Sequence, residues 1–365
     1  MSLSHKIGSI ENVIYRHYRV AHGIRIALSF VITFLAIRFS HIPEGSWPLI
    51  TLVVLLGPMS FWGNVKQRSL HRILGTVVGS ASGLLALYIE IYSLPAMLAW
   101  CALVMFFAGY MALGKRPYMA LLIGITLAVV GSAAPGDMHT ALWRAADVIL
   151  GSIMALLLTS IYPQRAFIHW RLQMSDALGS LAKMYGAYTS INLIERPNLS
   201  KQLHQELSRI ITMRTFINAA SRETHISNAY FDELHTVCRD LIGTLKLLIE
   251  SYWGSRDGHF WMLNAQVLRK TRKMIQANLE HLSILLLEGS SRADEHNITL
   301  MSELKDELNK FTPETQNYHS DAISSIYGYI WLSRQIGQQL IELEQLINKM
   351  ILVDDPHLIA AEQSS

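Results

Sequence analysis

Arg72-Ile-Leu-Gly75-Thr-Val-Val-Gly79-Ser-Ala-Ser-Gly83-Leu-Leu-Ala-Leu-Tyr-Ile-Glu90-Ile91 decides the fold class. Between Arg72 and Glu90 it holds no charge. At 1.5 Å per residue a helix of this length covers the roughly 30 Å hydrocarbon core of a bilayer. Gly75, Gly79 and Gly83 recur every four residues and share one helix face. Small residues on one face let backbones approach closely inside a membrane, for packing alone or around a site. The stretch reads as a transmembrane helix with one face built for close contact.

Further apolar windows lie on both sides, giving six expected spans: 24–41, 46–62, 72–91, 94–113, 117–134 and 143–162. Across residues 24–163 there are only twelve charged side chains, Arg25, Arg38, Glu44, Lys66, Arg68, Arg72, Glu90, Lys115, Arg116, Asp137, Arg144 and Asp147. The whole chain is 51% hydrophobic and 16% charged, against about a quarter charged in an average soluble domain. Most of its 31 basic and 28 acidic residues lie beyond Pro163. The expected organisation is an all-α membrane protein. A cytoplasmic N-terminal segment, 1–23, is followed by a six-helix transmembrane domain, 24–163. A cytoplasmic helical domain, 164–355, and a disordered tail, 356–365, complete it. Glu11–Arg25, with Tyr15 and Tyr18 among basic residues, reads equally as an interfacial helix or a plain lead-in. No small-residue cleavage site follows the polar first twenty residues, so the first span is expected to serve as the insertion signal.

Direction follows from the basic residues. Lys6, Arg16 and Arg19 precede span one, Lys66 and Arg68 lie between spans two and three, Lys115 and Arg116 between four and five, Arg165 and Arg171 after six. The alternate loops hold Glu44, Glu90 and Asp137 instead. Both termini are expected to be cytoplasmic in a bacterial inner membrane. Trp47 and Trp62, about 22 Å apart along a helix, bracket span two at the two interfaces.

Several functional classes are excluded. The net charge of +3, with no aromatic-interleaved basic stripe, does not indicate nucleic acid. Cys101 and Cys238 form neither a disulfide framework nor a metal quartet. Gly109-Tyr-Met-Ala-Leu-Gly114-Lys115-Arg116 imitates a phosphate-binding loop, but Arg116 stands where Ser or Thr must hold magnesium, and a span precedes it instead of a strand. No catalytic, cofactor or metal motif occurs, and no enzyme is expected.

The halves of the membrane region resemble each other. Ile50-Thr51-Leu52-Val53 recurs as Ile125-Thr126-Leu127-Ala128, Ile73-Leu74-Gly75-Thr76 as Ile149-Leu150-Gly151-Ser152, and Gly57 has a counterpart in Gly131. Three spans per half make the second copy inverted, the plan that places transporter sites near the midplane. Gly75 and Gly151 are then expected to approach one another or equivalent neighbours. Pro48, and above all Gly57-Pro58, break span two, which is tolerated where protein or a watery cavity surrounds the backbone. Arg144 and Asp147, three apart in span six, can share a face, as a structural clasp or as a proton or substrate relay.

Beyond residue 163, helical spacing predicts helices over 166–191, 199–219, 227–253, 258–288, 298–311 and 318–352. Arg196-Pro197-Asn198, Gly254–Gly258, Gly289-Ser-Ser and Thr312-Pro313 separate them.

Gly63-Asn-Val-Lys-Gln-Arg68 through Arg72-Ile-Leu-Gly75-Thr76-Val-Val-Gly79 resembles the signature after the second span in the fusaric acid resistance family, which includes bacterial aromatic acid exporters. Trp143-Arg144-Ala-Ala-Asp147-Val-Ile-Leu-Gly151 through Pro163 resembles its sixth-span pattern. Pro163-Gln-Arg-Ala-Phe-Ile-His-Trp170 and Ile326-Tyr-Gly-Tyr-Ile-Trp331 extend the resemblance over most of the chain, which looks closest to the short enterobacterial members. The resemblance implies proton-coupled efflux of aromatic carboxylates and singles out Arg68, Arg72, Gly75, Arg144, Asp147 and Gly151. Longer members carry two membrane units, so this chain is expected to form a homo-oligomer such as a dimer. The expected site uses Gly57, Pro58, Gly75 and Gly151 as its backbone frame between spans two, three, five and six. Arg72 or Arg144 attracts a small organic anion, and Asp147 exchanges a proton. A passive anion channel and a non-transporting scaffold are the alternatives.

Overall fold

The computed structural model describes residues 8–40, 45–57, 61–114, 116–133, 137–190, 195, 198, 200–224, 226–289 and 319–354. Among them are thirteen helices and no strand. The first seven are α1 (Ser9–Arg16), α2 (Tyr18–Ser40), α3 (Ser46–Leu56), α4 (Trp62–Glu90), α5 (Leu94–Ala112), α6 (Pro117–Gly131) and α7 (Met138–Ile161). Then come α8 (Ala166–Tyr188), α9 (Ser200–Thr224), α10 (Asn228–Tyr252), α11 (Arg256–Asn264), α12 (Gln266–Glu288) and α13 (Ser320–Asp354). The chain divides into two compact units, residues 16–165, and residues 1–15 with 166–365.

Four helices of the first unit, α2, α4, α5 and α7, are long and apolar enough to cross a membrane. The other two expected spans are shorter apolar helices: α3 has 11 residues and α6 has 15. At 1.5 Å per residue these rise about 16 and 22 Å, less than a full hydrocarbon core. Residues 58–60 and 134–136, including Pro58 of the expected break, lie outside the described residues. Helix α4 begins at Trp62, ten residues before Arg72, so Lys66 and Arg68 stand on its first turns.

Packing in this unit follows the small residues. Helix α4 lies against α6 and α7, α3 against α7, α2 against α3, and α5 against α4 and α6, with lighter contacts between α6 and α7, α3 and α4, and α2 and α7. Leu52, Leu55, Leu56, Val65 and Ala155 form one apolar core, with Ile26, Met154, Leu156 and Leu158 around it. Helices α2 and α5 are the peripheral pair: only 17% and 6% of their apolar windows are buried. Their exposed Phe30, Phe34, Phe39, Phe106 and Phe107 suit contact with lipid, where apolar surface costs nothing.

The second unit is a helical bundle in which α8 packs on α9 and α12, α10 on α9 and α13, and α11 and α12 on α13. Residues 258–288 do not form one helix. The chain breaks at Ala265, where ψ of 112° leaves the helical region. The expected helix over 298–311 and the tail 356–365 lie outside the described residues. Tyr15, on α1, is buried with Ile168, Leu172 and Leu287.

A buried polar pair sits in this bundle. Trp170 Nε1 donates to His235 Nε2 at 2.8 Å, which requires that nitrogen to be unprotonated. Burial, with Arg214 adding to it, holds the His235 pKa down to about 4. The unfolded chain takes up that proton near pH 6.5, so stability is full above that pH and falls progressively down to about pH 4. The loss is on the order of 3 kcal/mol, at about 1.4 kcal/mol for each tenfold difference in proton affinity. Thermal melting between about pH 7.5 and 4.5 should show this slope. His235→Gln should flatten it, and an unchanged slope would remove His235 as its source.

Candidate functional site

Arg72 is buried, 6% exposed, although it stands on a mainly apolar helix. Its Nη2 donates to Thr51 Oγ1 of α3 at 3.1 Å, and its buried Nε has no partner among the described residues. Ser69 and Thr76, three before and four after it, share its face and are fully buried. Their hydroxyls have no hydrogen-bond partner among the described residues. A cation and two hydroxyls left open in an apolar interior form a set that an anion or water can complete.

Thr51 joins this group to α7. A Cβ on Gly151 would fall 2.6 Å from the Pro48 carbonyl oxygen, 2.8 Å from Pro48 Cα and 2.8 Å from Thr51 Cβ. Only glycine lets α7 come this close to α3. On the other side, the α4 glycines meet α6. A Cβ on Gly75 would lie 2.8 Å from Leu122 Cβ, and one on Gly79 would lie 2.7 Å from both the Ile123 carbonyl oxygen and Thr126 Cβ. Gly75 and Gly151 therefore each meet a short apolar helix, α6 and α3 respectively. Asp147, one turn before Gly151, is 1% exposed.

Arg144 is half-buried and reaches the end of α6. Its Nη1 donates to the Val129 carbonyl at 3.0 Å and to Ser132 Oγ at 3.1 Å. Carbonyls of a last helical turn lack intrahelical donors and carry the negative end of the helix dipole, so a guanidinium is well placed there. Gly57 ends α3, donating its N–H to the Val53 carbonyl at 2.8 Å. It is exposed, and its carbonyl lies 3.4 Å from His22 Nε2.

A cavity of about 340 Å³ opens between α4, α5 and α6, lined by Leu87, Glu90, Met97, Cys101, Met105, Leu127 and Ser132 among others. Its size falls within the range of small-molecule sites. The walls are mainly apolar, with Glu90 and Ser132, the partner of Arg144, as polar exceptions. The expected site omits α5, and so this cavity. Apart from Glu90 and Ser132, the lining residues are ordinary apolar residues whose side-chain directions only packing fixes. Thr51 is missed as well, because a threonine in an apolar run carries no mark of the face it takes.

The fusaric acid resistance protein-like pattern matches residues 18–158, which hold Arg72, Arg144, Asp147 and the cavity. The chain is 46% identical to the inner membrane protein YeeA of Escherichia coli over 349 residues, 95% of this chain and 98% of that protein. It is also 28% identical over 140 residues to an uncharacterized protein of Synechocystis, covering 37% of this chain and 18% of that one. With YeeA matched over nearly its whole length and the membrane-unit pattern present, the chain belongs to the fusaric acid resistance protein-like family.

Proposed function

We propose that this protein is a multi-pass protein of the bacterial inner membrane that exports small organic carboxylates, aromatic ones among them, by a proton-coupled secondary mechanism. The single observation that carries this reading is the apolar cavity whose wall includes Ser132, held by Arg144. An apolar chamber accepts the body of such a molecule, and a guanidinium at its edge matches a carboxylate in fork geometry. Arg72 is the second cation, and Asp147, buried in the same unit, is the proton-exchanging group. Family membership and the YeeA likeness support the membrane and transport parts of this reading.

The topology follows the same proposal. Four long helices cross the membrane, and α3 and α6 complete six crossings as short helices inside the protein. Both termini are cytoplasmic. Residues 24–91 and 94–162 form inverted halves: exchanging α2, α3 and α4 for α5, α6 and α7 maps every helix pairing in the unit onto an observed pairing, α4 with α7 onto itself. Such repeats place sites at their interface. A homodimer presents two such units, with the exposed faces of α2 and α5 in lipid or between copies.

The cavity reading is tested by binding. Purified protein in nanodiscs, titrated with benzoate by calorimetry, should bind it. Arg144→Gln should weaken binding at least tenfold, since a charged hydrogen-bonding partner is worth about 1.5–3 kcal/mol. Ala128→Phe, on the cavity wall, should abolish binding in a protein that still melts normally. Benzoate binding that both substitutions leave unchanged would place the site elsewhere.

A further inference from the structure

Three details of the membrane unit repeat, and a fourth does not. First, Gly151 faces Pro48 and Thr51 of α3, whereas Gly79 faces Ile123 and Thr126 of α6. In each case a Cβ would meet the carbonyl oxygen and Cα of one residue and the Cβ of a threonine three positions on. Second, each glycine is followed by a buried serine bonded to its own helix, Ser80 to the Thr76 carbonyl and Ser152 to the Val148 carbonyl. Each glycine is also preceded at seven residues, two helical turns, by an arginine: Arg72 before Gly79, Arg144 before Gly151. The contacts therefore pair Gly79 with Gly151, Arg72 with Arg144 and Thr51 with Thr126.

The arginines are not used alike. Arg72 is buried on Thr51. Arg144 is half-buried, and its described hydrogen bonds reach Val129 and Ser132, three and six residues past Thr126. The surroundings differ in step. The cavity is bounded by Ala86, Leu127 and Gly131, whose counterparts under the same pairing are Leu158, Leu52 and Leu56. Leu52 and Leu56 are fully buried in an apolar core, and Leu158, half-buried, packs against it. One half is open beside its displaced arginine, and the other is packed shut beside its seated one.

We infer that Thr51 and Thr126 are alternative seats for two equivalent arginines, and that only one seat is filled at a time. In the state seen here Arg72 is seated, its half is closed, and the cavity beside Arg144 is open at the end of the unit that carries Glu90. In the opposite state Arg144 withdraws onto Thr126, the cavity closes, and Arg72 leaves Thr51 as the core around Leu158 opens. Exchange of conformation between inverted halves is what alternating access requires, and this inference rests on the transporter reading above. A carboxylate that engages an arginine competes with its threonine, which links the bound anion to the exchange. Thr51 and Thr126 are thus positioning residues that act through the arginines.

Native Cys101, on the cavity wall, supplies one reporter. In full-length protein carrying Cys238→Ala, an impermeant maleimide should label Cys101 from the outer face. In a background of Cys101→Ser and Cys238→Ala, Leu158→Cys, half-buried here, should label faster from the cytoplasmic face in the opposite state. Thr51→Val should lower Cys101 labelling and raise Leu158→Cys labelling, each about tenfold, the weight of one charged hydrogen bond on a two-state balance. Thr126→Val should do the reverse or leave the present state fully populated. The serine variants, which keep the hydroxyl, should label like the parent. Alanine variants replace any valine variant that fails to insert. If both threonine variants move a reporter in the same direction, or neither moves either reporter, the alternating seats are refuted. Labelling needs no transport, so the two readings separate. Anion flux with unresponsive labelling overturns the seats alone. Opposed labelling without any anion flux overturns the transporter alone.

Discussion

Gly151→Leu is expected to leave no correctly folded membrane unit. The smallest side chain at this position already overlaps main chain: its Cβ would lie 2.6 Å from the Pro48 carbonyl oxygen and 2.8 Å from Pro48 Cα. Neither can rotate away as a flexible side chain would, so α3 and α7 must separate. Overpacking costs about 1–3 kcal/mol, and more when backbone has to shift. Total stabilities are only about 5–15 kcal/mol. Separation would also open the apolar core shared by Leu52, Leu55, Leu56 and Ala155. Gly151→Ala should lower the melting temperature by several degrees with the fold kept. Gly151→Leu should give aggregated material by size-exclusion chromatography. Gly109→Leu, at a position with open space around it, should behave as the parent. A monodisperse Gly151→Leu protein with an unchanged melting temperature would refute the contact.

The helical class and the polarity boundary near Pro163 were legible because solvent writes them directly. Charge is nearly absent where lipid must be met, and helical periodicity returns with charge beyond it. Element ends were less legible. Gly63–His71 reads as a connection because it is polar and opens on Gly63-Asn64, yet it lies within the first turns of α4, which starts at Trp62. The break at Ala265 is invisible for the opposite reason, since alanine is the best helix former and only packing asks it to leave the helix.

The proposed repeat shows a subtler limit. Matching Ile73–Thr76 to Ile149–Ser152 pairs Gly75 with Gly151, whereas the contacts pair Gly79 with Gly151. Glycines spaced by four make a slip of one turn nearly free in a sequence comparison. Only the facing threonine, Thr51 or Thr126, fixes the register. Arg72, Arg144 and Asp147 stand out in the sequence because charge is rare in such helices. What they face could not be read: Arg72 toward Thr51, Arg144 toward the end of α6. That Glu90, Cys101 and Gly131 share one cavity wall could not be read either, because only packing brings α4, α5 and α6 together there.

Asp147→Asn should abolish gradient-driven export in a protein that inserts and folds normally. The residue is 1% exposed on α7, one turn from the close contact with α3. A carboxyl group buried in a membrane protein titrates at a cost the protein must balance, which makes it a functional group by default. Asparagine keeps the volume and one acceptor but cannot take or release a proton. If Asp147 is instead a structural clasp, Asp147→Asn should lower the melting temperature while the surviving protein carries substrate at a normal specific rate. That pattern would remove Asp147 from the mechanism.

Proton-coupled export is tested most directly by flux of radiolabelled benzoate in proteoliposomes holding the full-length protein, with membrane voltage clamped by potassium and valinomycin. Flux should follow an imposed pH gradient at fixed voltage, and Asp147→Asn should lose that dependence. Flux that ignores the pH gradient would mark a passive anion channel, and no flux of any organic carboxylate would mark a scaffold; either result contradicts a proton-coupled exporter.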